Sequence, residues 1–269
     1  MAKFWHITPR NIAGLFVLVN LLTYGGHAGA TGFDSAQDLF TAGDYEAAQT
    51  LAKDLGTAEG YYLASKAITA QILLGYFDKP NEPAKEARIL AVKALLLDPD
   101  DLDVRFQQGV AFGLETQSTG ILKAWRKKLP RRMYDMIEAL HRDAPEDPRS
   151  HALLGAWHLG IVNKVGKRNA YNWYKADPEA GKQHYETALE LAKDNTTDDI
   201  VIMSNYAAST ILLDNPDYGK KLLSTVLNMM PRNAAEAGVQ KRMAVLATLY
   251  EEPEAFKRAA KDFLNNRPF

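Results

Sequence analysis

The sequence predicts an all-α fold of stacked helical hairpins, about five to six of them. Three observations carry this. Small residues recur at helix-contact spacing, as Gly75, Ala87, Ala91 and Ala94, and Pro99 closes the run. The next small residue in a matching place, Gly109, follows Gly75 by 34 residues, the period of a stacked helix–turn–helix unit. Strand signals are few. Two antiparallel helices approach closely only where their facing residues are small. The text from Lys93 to Pro99 reads as a helix end followed by a stop, since proline cannot continue the hydrogen-bond ladder.

The first hairpin is Phe33 to Leu55. Gly43 suits the left-handed end of one helix and Asp44 the cap of the next. The second hairpin is roughly Ala58 to Pro99. The third begins at Asp101, with Gly109 and Phe112 in its first helix and Ala139 in its second. Ala139 comes about 11 residues late, so an insertion falls within Glu115 to Arg132. The fourth carries Gly155 in its first helix and Tyr185, Ala188 and Leu189 in its second. About 14 residues are inserted there, within Val162 to Asp177. The fifth, with Ala207, Val226 and Pro231, returns to the uninterrupted spacing. A last pair, about Ala234 to Phe263, reads as a terminal cap, which stacked repeats need because the end unit has no neighbour.

This set of positions, with the turn text Gly43-Asp44-Tyr45-Glu46-Ala47-Ala48, resembles the tetratricopeptide repeat (TPR) family. The resemblance implies a TPR-like right-handed superhelix with inserted segments in the third and fourth hairpins. His151 to Leu191 is similar to the TPR-like domain of the regulator-of-microtubule-dynamics family, and implies the fold alone. In a TPR superhelix the first helix of each hairpin lines a concave groove. Counted in that register, the groove is predominantly apolar. Tyr76, Phe106, Val110 and Leu159 are its candidate contacts, and Asn205 is the one residue suited to gripping a carboxylate. An apolar groove left open to water is costly, at about 25 cal/mol per Å². Either a partner segment fills it, or the insertions do, through Ile121, Leu122, Trp125, Leu129 and Met133.

Residues 1–30 read as a secretory signal: Lys3 and Arg10 in a basic start, an apolar run from Ile12 to Tyr24, and the small-x-small text Ala28-Gly29-Ala30. Thr31 would begin the mature chain. The apolar run is short for a membrane span; the competing reading is an uncleaved anchor. The rest, 31–269, is one helical repeat domain. The whole chain has 32 basic and 33 acidic residues; losing Lys3 and Arg10 leaves a small acidic excess. That balance gives no ground for a nucleic-acid partner. Cysteine is absent, so disulfide and thiolate chemistry are excluded. No later segment is long and apolar enough to span a bilayer.

The densest charge feature is Lys123, Arg126, Lys127, Lys128, Arg131 and Arg132, with Trp125 and Tyr134 nearby. It reads as an anionic contact, to lipid head groups, a glycan or an acidic protein. It also reads as the solvated face of an inserted helix with Trp125 packed inward. A second patch, Lys164, Lys167, Arg168, Tyr171, Trp173, Tyr174 and Lys175, offers aromatic rings for stacking or for pinning the insertion to the core.

Catalytic signals are absent. Four histidines follow the signal: His141, His151, His158 and His184. His151 and His158 share a helical face and, with Asp177, form the one metal candidate weighed; no metal-binding spacing supports it, and no metal or cofactor is expected. There is no nucleophile elbow and no phosphate loop. The expectation is a non-catalytic protein–protein interaction scaffold of the bacterial cell envelope, probing a protein or peptide partner through the groove or the inserted loops. An anionic-lipid or glycan contact through the basic cluster is the alternative, and an enzyme with an unrecognised site the second. The expected location is the periplasm.

Overall fold

The computed structural model describes residues 32–192, 199–213 and 215–269. The secretory-signal reading, with its cleavage before Thr31, lies outside the described residues. Within them the fold is all-α, and its helices pack as successive hairpins. Helices α1 (Gly32–Ala42) and α2 (Tyr45–Asp54) form the first, α3 (Ala58–Leu73) and α4 (Asn81–Leu97) the second. The third pairs α5 (Leu102–Ser118) with α7 (Leu129–Asp143), and a short α6 (Ile121–Arg126) lies between them. The fourth pairs α8 (Pro148–Val165) with α10 (Pro178–Ala192), around a short α9 (Lys167–Tyr174). The fifth is α11 (Asp199–Leu212) with α12 (Pro216–Leu227), followed by α13 (Ala234–Ala247) and α14 (Pro253–Leu264). Both inserted helices fall inside the predicted insertions.

The helix starts are written in local chemistry. Asp44 accepts the N–H of Ala47, and Thr57 that of Gly60. Asp101 accepts from Asp103 and Val104, and Asn233 from Glu236. Asp147-Pro148 and Asn215-Pro216 place a capping side chain directly before a proline at the first helical position, where a missing N–H costs nothing. Gly43 ends the first helix with φ +91°, as its position predicts.

Gly75 is a correction. The spacing predicts it inside a helix, as the small contact residue of the second hairpin. It instead follows α3 in the turn, with φ +76°. Glycine serves both tasks, and spacing alone does not separate them. Ser65 takes the contact position of α3: its hydroxyl donates to the Ala87 carbonyl of α4 at 2.9 Å and accepts from Gln107 Nε2 of α5 at 2.9 Å. Gly109 and Gly155 do occupy helix contacts. A Cβ on Gly155 would lie 2.7 Å from the ring of Tyr185, and one on Gly109 would lie 3.2 Å from Leu153 Cδ1.

Two large cores run through the stack. One joins α1 to α5 around Leu63, Ile68 and Leu90. The other joins α8 and α10 to α14 around Leu159, Tyr185, Tyr206 and Phe256. A smaller core, with Ile137, Trp157, Ala170 and Ala176, lies where the two insertions leave their hairpins.

The C-terminal segment returns to the beginning of the stack. Arg242 on α13 donates to the carbonyls of Leu73, at the end of α3, and of Arg267. Its guanidinium also lies 5.0 Å from the ring centres of both Phe263 and Phe269. Burial pulls its pKa down to about 10. Gln117 on α5 donates to the Leu264 carbonyl and accepts from Asn266 Nδ2 at 3.1 Å. Gly238 packs on Leu74, and Gly75 on the backbone of Arg267 and Pro268.

Candidate functional site

The expected groove residues divide. Phe106 is 3% exposed and Leu159 fully buried. Phe106 packs with Leu140 and Ala144 beneath the Arg149 guanidinium, 4.2 Å above its ring; Leu159 packs against Gly181 and Tyr185. Both are core, so neither lines an open groove. Val110 is half-buried against the first core. Asn205 is half-buried and donates to Val201 on its own helix at 2.9 Å. Tyr76 is exposed, but it stands in the turn after α3, its ring 6.3 Å from that of Tyr45. These five do not form one surface.

Of the insertion residues expected to fill the groove, Leu129 is buried with Phe112 and Ala124, and the Met133 side chain lies against Gly113 on α5, whereas the others do not pack inward. On α6 only Ala124 is buried; Ile121, Leu122 and Trp125 all face solvent. The α6–α7 segment is anchored instead by Trp157 on α8, whose Nε1 donates to the Pro130 carbonyl at 2.9 Å while its ring lies 4.6 Å from Tyr134. On α9 only Ala170 is buried, with Tyr171 and Trp173 outside. Of the aromatics expected to pin the second insertion, Tyr171 and Trp173 point outward, while Tyr174 packs on the small core beside Ala170 and Ala176.

The consequence is a surface that no single stretch of sequence contains. Trp125, Lys128 and Arg131 from the first insertion meet Trp173, Tyr174 and Lys175 from the second around an open cleft of about 190 Å³. The two indoles are 60% and 58% exposed. Arg131 bonds Asp135 at 2.9 Å through Nε, and Lys175 Nζ stands 4.7 Å from the Tyr171 ring centre. Lys128, at the start of α7, and Lys175, at the end of α9, have a left-handed backbone, at φ 54° and 61°. The rest of the basic cluster turns elsewhere. Lys123, Lys127 and Arg132 line a second cleft of about 430 Å³, with Phe112 and the Arg88–Glu115 ion pair, and Arg126 is exposed on α6. Lys164, grouped by sequence with the second patch, donates to the Gln117 carbonyl at 3.3 Å.

All four described histidines converge. His151 and His184 bring their Nδ1 atoms to 3.1 Å, His141 lies 4.5 Å from His151 ring to ring, and His158 stacks on His184 at 6.0 Å. His158 Nδ1 accepts the backbone N–H of Asp177 at 3.0 Å, and the Asp177 carboxylate caps the start of α10. Burial, with the mutual repulsion of the rings, pushes the His184 pKa down to about 4 and lowers that of His151; His158 is lowered by burial. The rings of His151, His158 and His184 are therefore neutral at pH 7. His141 Nδ1 is 3.0 Å from the hydroxyl of Ser150, but that serine is fully buried and donates to the Asp147 carbonyl, so it is no accessible nucleophile. Among the described residues no group of three or more His, Asp or Glu side chains is placed to hold a metal ion, and no helix is long and apolar enough to cross a membrane.

No protein-family model matches the chain, and no curated protein matches it.

Proposed function

We propose that the protein is a non-catalytic interaction scaffold whose contact face is the surface shared by its two insertions. One observation carries this: separate insertions place two exposed indoles and three cations around one cleft, with no carboxylate among its lining residues. A folding role for these side chains is not needed, since Ala124, Ala170, Pro130 and Trp157 already anchor both segments. The partner on this reading is anionic. The hairpin order and the Gly109 and Gly155 contacts support placing the chain among TPR-like repeat proteins with a right-handed superhelix. The residue 1–30 signal supports export to the cell envelope. The burial of Phe106 and Leu159 favours the insertions over the groove as the contact.

Capture from gently cross-linked cells tests this. The unaltered protein should bring down a defined partner. A variant with Lys128, Arg131 and Lys175 changed to Ser should lose it. A partner kept by that variant would overturn the assignment of the contact face.

A further inference from the structure

The shared face can be assigned a partner class, resting on the reading just given. We propose that it docks on an anionic lipid bilayer. A phosphate-bearing head group would sit between Lys128, Arg131 and Lys175, while Leu122, Trp125 and Trp173 enter the interfacial layer.

The backbone supplies the sharpest argument. Three described non-glycine residues have positive φ: Lys128, Lys175 and Asn266. Asparagine is at home there; lysine is not, and glycine would adopt the same conformation without strain. Two lysines hold this conformation, one in each insertion, and both line the same cleft. Strain kept at converging positions points to side chains that are needed where they are. What they share is a positive charge over one small opening.

The surroundings select a lipid. Lys128, Arg131 and Lys175 line this cleft, Arg131 also bonding Asp135 at 2.9 Å. The first insertion also carries Ile121, Leu122 and Trp125, with Leu122 70% exposed, and Tyr171 and Trp173 stand exposed across the cleft. Cations interleaved with protruding aliphatic and indole side chains match a bilayer interface, where charge meets head groups and apolar side chains reach the acyl boundary. An acidic peptide would answer the cations and leave Ile121 and Leu122 in water. The cleft, at about 190 Å³, is below the range of sites that engulf a small molecule, yet it has room for a phosphate ester.

Flotation with phosphatidylcholine vesicles, with and without phosphatidylglycerol, is the test. The protein should float only with phosphatidylglycerol, release as salt is raised, and show blue-shifted tryptophan emission on binding. Lys128→Gly with Lys175→Gly should weaken binding roughly tenfold or more, with Tm unchanged or raised because glycine accepts the same backbone without strain. Leu122→Ser should weaken it without altering the fold. Equal binding to neutral vesicles, no binding, or full binding by both variants would overturn the inference. If vesicles fail while a cellular protein is still lost on the Lys128, Arg131 and Lys175 serine substitutions, the lipid assignment falls and the scaffold reading stands. If both fail, both fall.

Discussion

His158 Nδ1 accepts the backbone N–H of Asp177, and this bond ties the end of the second insertion to the first helix of its own hairpin. A neutral imidazole can accept it; an imidazolium, with both nitrogens protonated, cannot. The remaining histidines crowd the same region, so each added proton raises the cost of the next.

Stability should therefore fall on mild acidification. The pKa values of His151, His158 and His184 are lower in the folded protein than the usual value near 6.5. The unfolded chain binds protons first, so the contribution is complete above about pH 6.5 and is lost as pH drops toward about 4, the folded value for His184. Thermal melts across that window should show a falling Tm beyond that expected from carboxylates. His184→Gln should flatten the slope. A slope identical in the variant would show that the cluster does not control it.

Arg242 should matter more than a surface cation. Arg242→Ala removes two carbonyl bonds and two ring contacts. A loss of about 2–3 kcal/mol is expected, read as a shift in urea midpoint. Arg242→Lys should recover only part, because a single ammonium cannot span both carbonyls.

The two helix-contact glycines should separate cleanly. In Gly155→Ala the new methyl meets the Tyr185 ring at 2.7 Å, with Tyr185 itself buried. A cost of about 1–3 kcal/mol follows. In Gly109→Ala the neighbour at 3.2 Å is the tip of Leu153, which can shift, and the helix gains about 0.5–1 kcal/mol from losing a glycine. Near-neutral stability is expected.

Gly75→Ala should cost about 1 kcal/mol, because φ +76° disfavours any Cβ. A helical Gly75, as spacing alone suggested, would have been stabilised by the same change. Denaturant titration decides between these signs.

These contrasts show what could be read in advance. The insertions were legible because they delay Ala139 and Ala188 relative to Gly109 and Gly155, and delay is counted directly. The caps at Asp44 and Asp101 were legible because their chemistry is local. The Gly75 register was not, since one residue type serves both tight turns and tight helix contacts. The direction of Trp125 was not, because helical spacing marks which residues share a face and leaves open which face is buried. The Trp125–Trp173 cleft and the histidine cluster join residues from different hairpins, and no local pattern encodes that meeting. Phe106 and Leu159 were placed on a groove because the repeat register assumes that the inner face stays open.

The early helices also bond residues made late in synthesis. Arg242 reaches back to Leu73, and Gln117 waits for Leu264 and Asn266. On a ribosome, the early hairpins can form their local contacts as they emerge, but Leu73 and Gln117 stay unanswered until the 242–267 segment is free. For most of its elongation the nascent chain thus holds Leu73 and Gln117 without these partners.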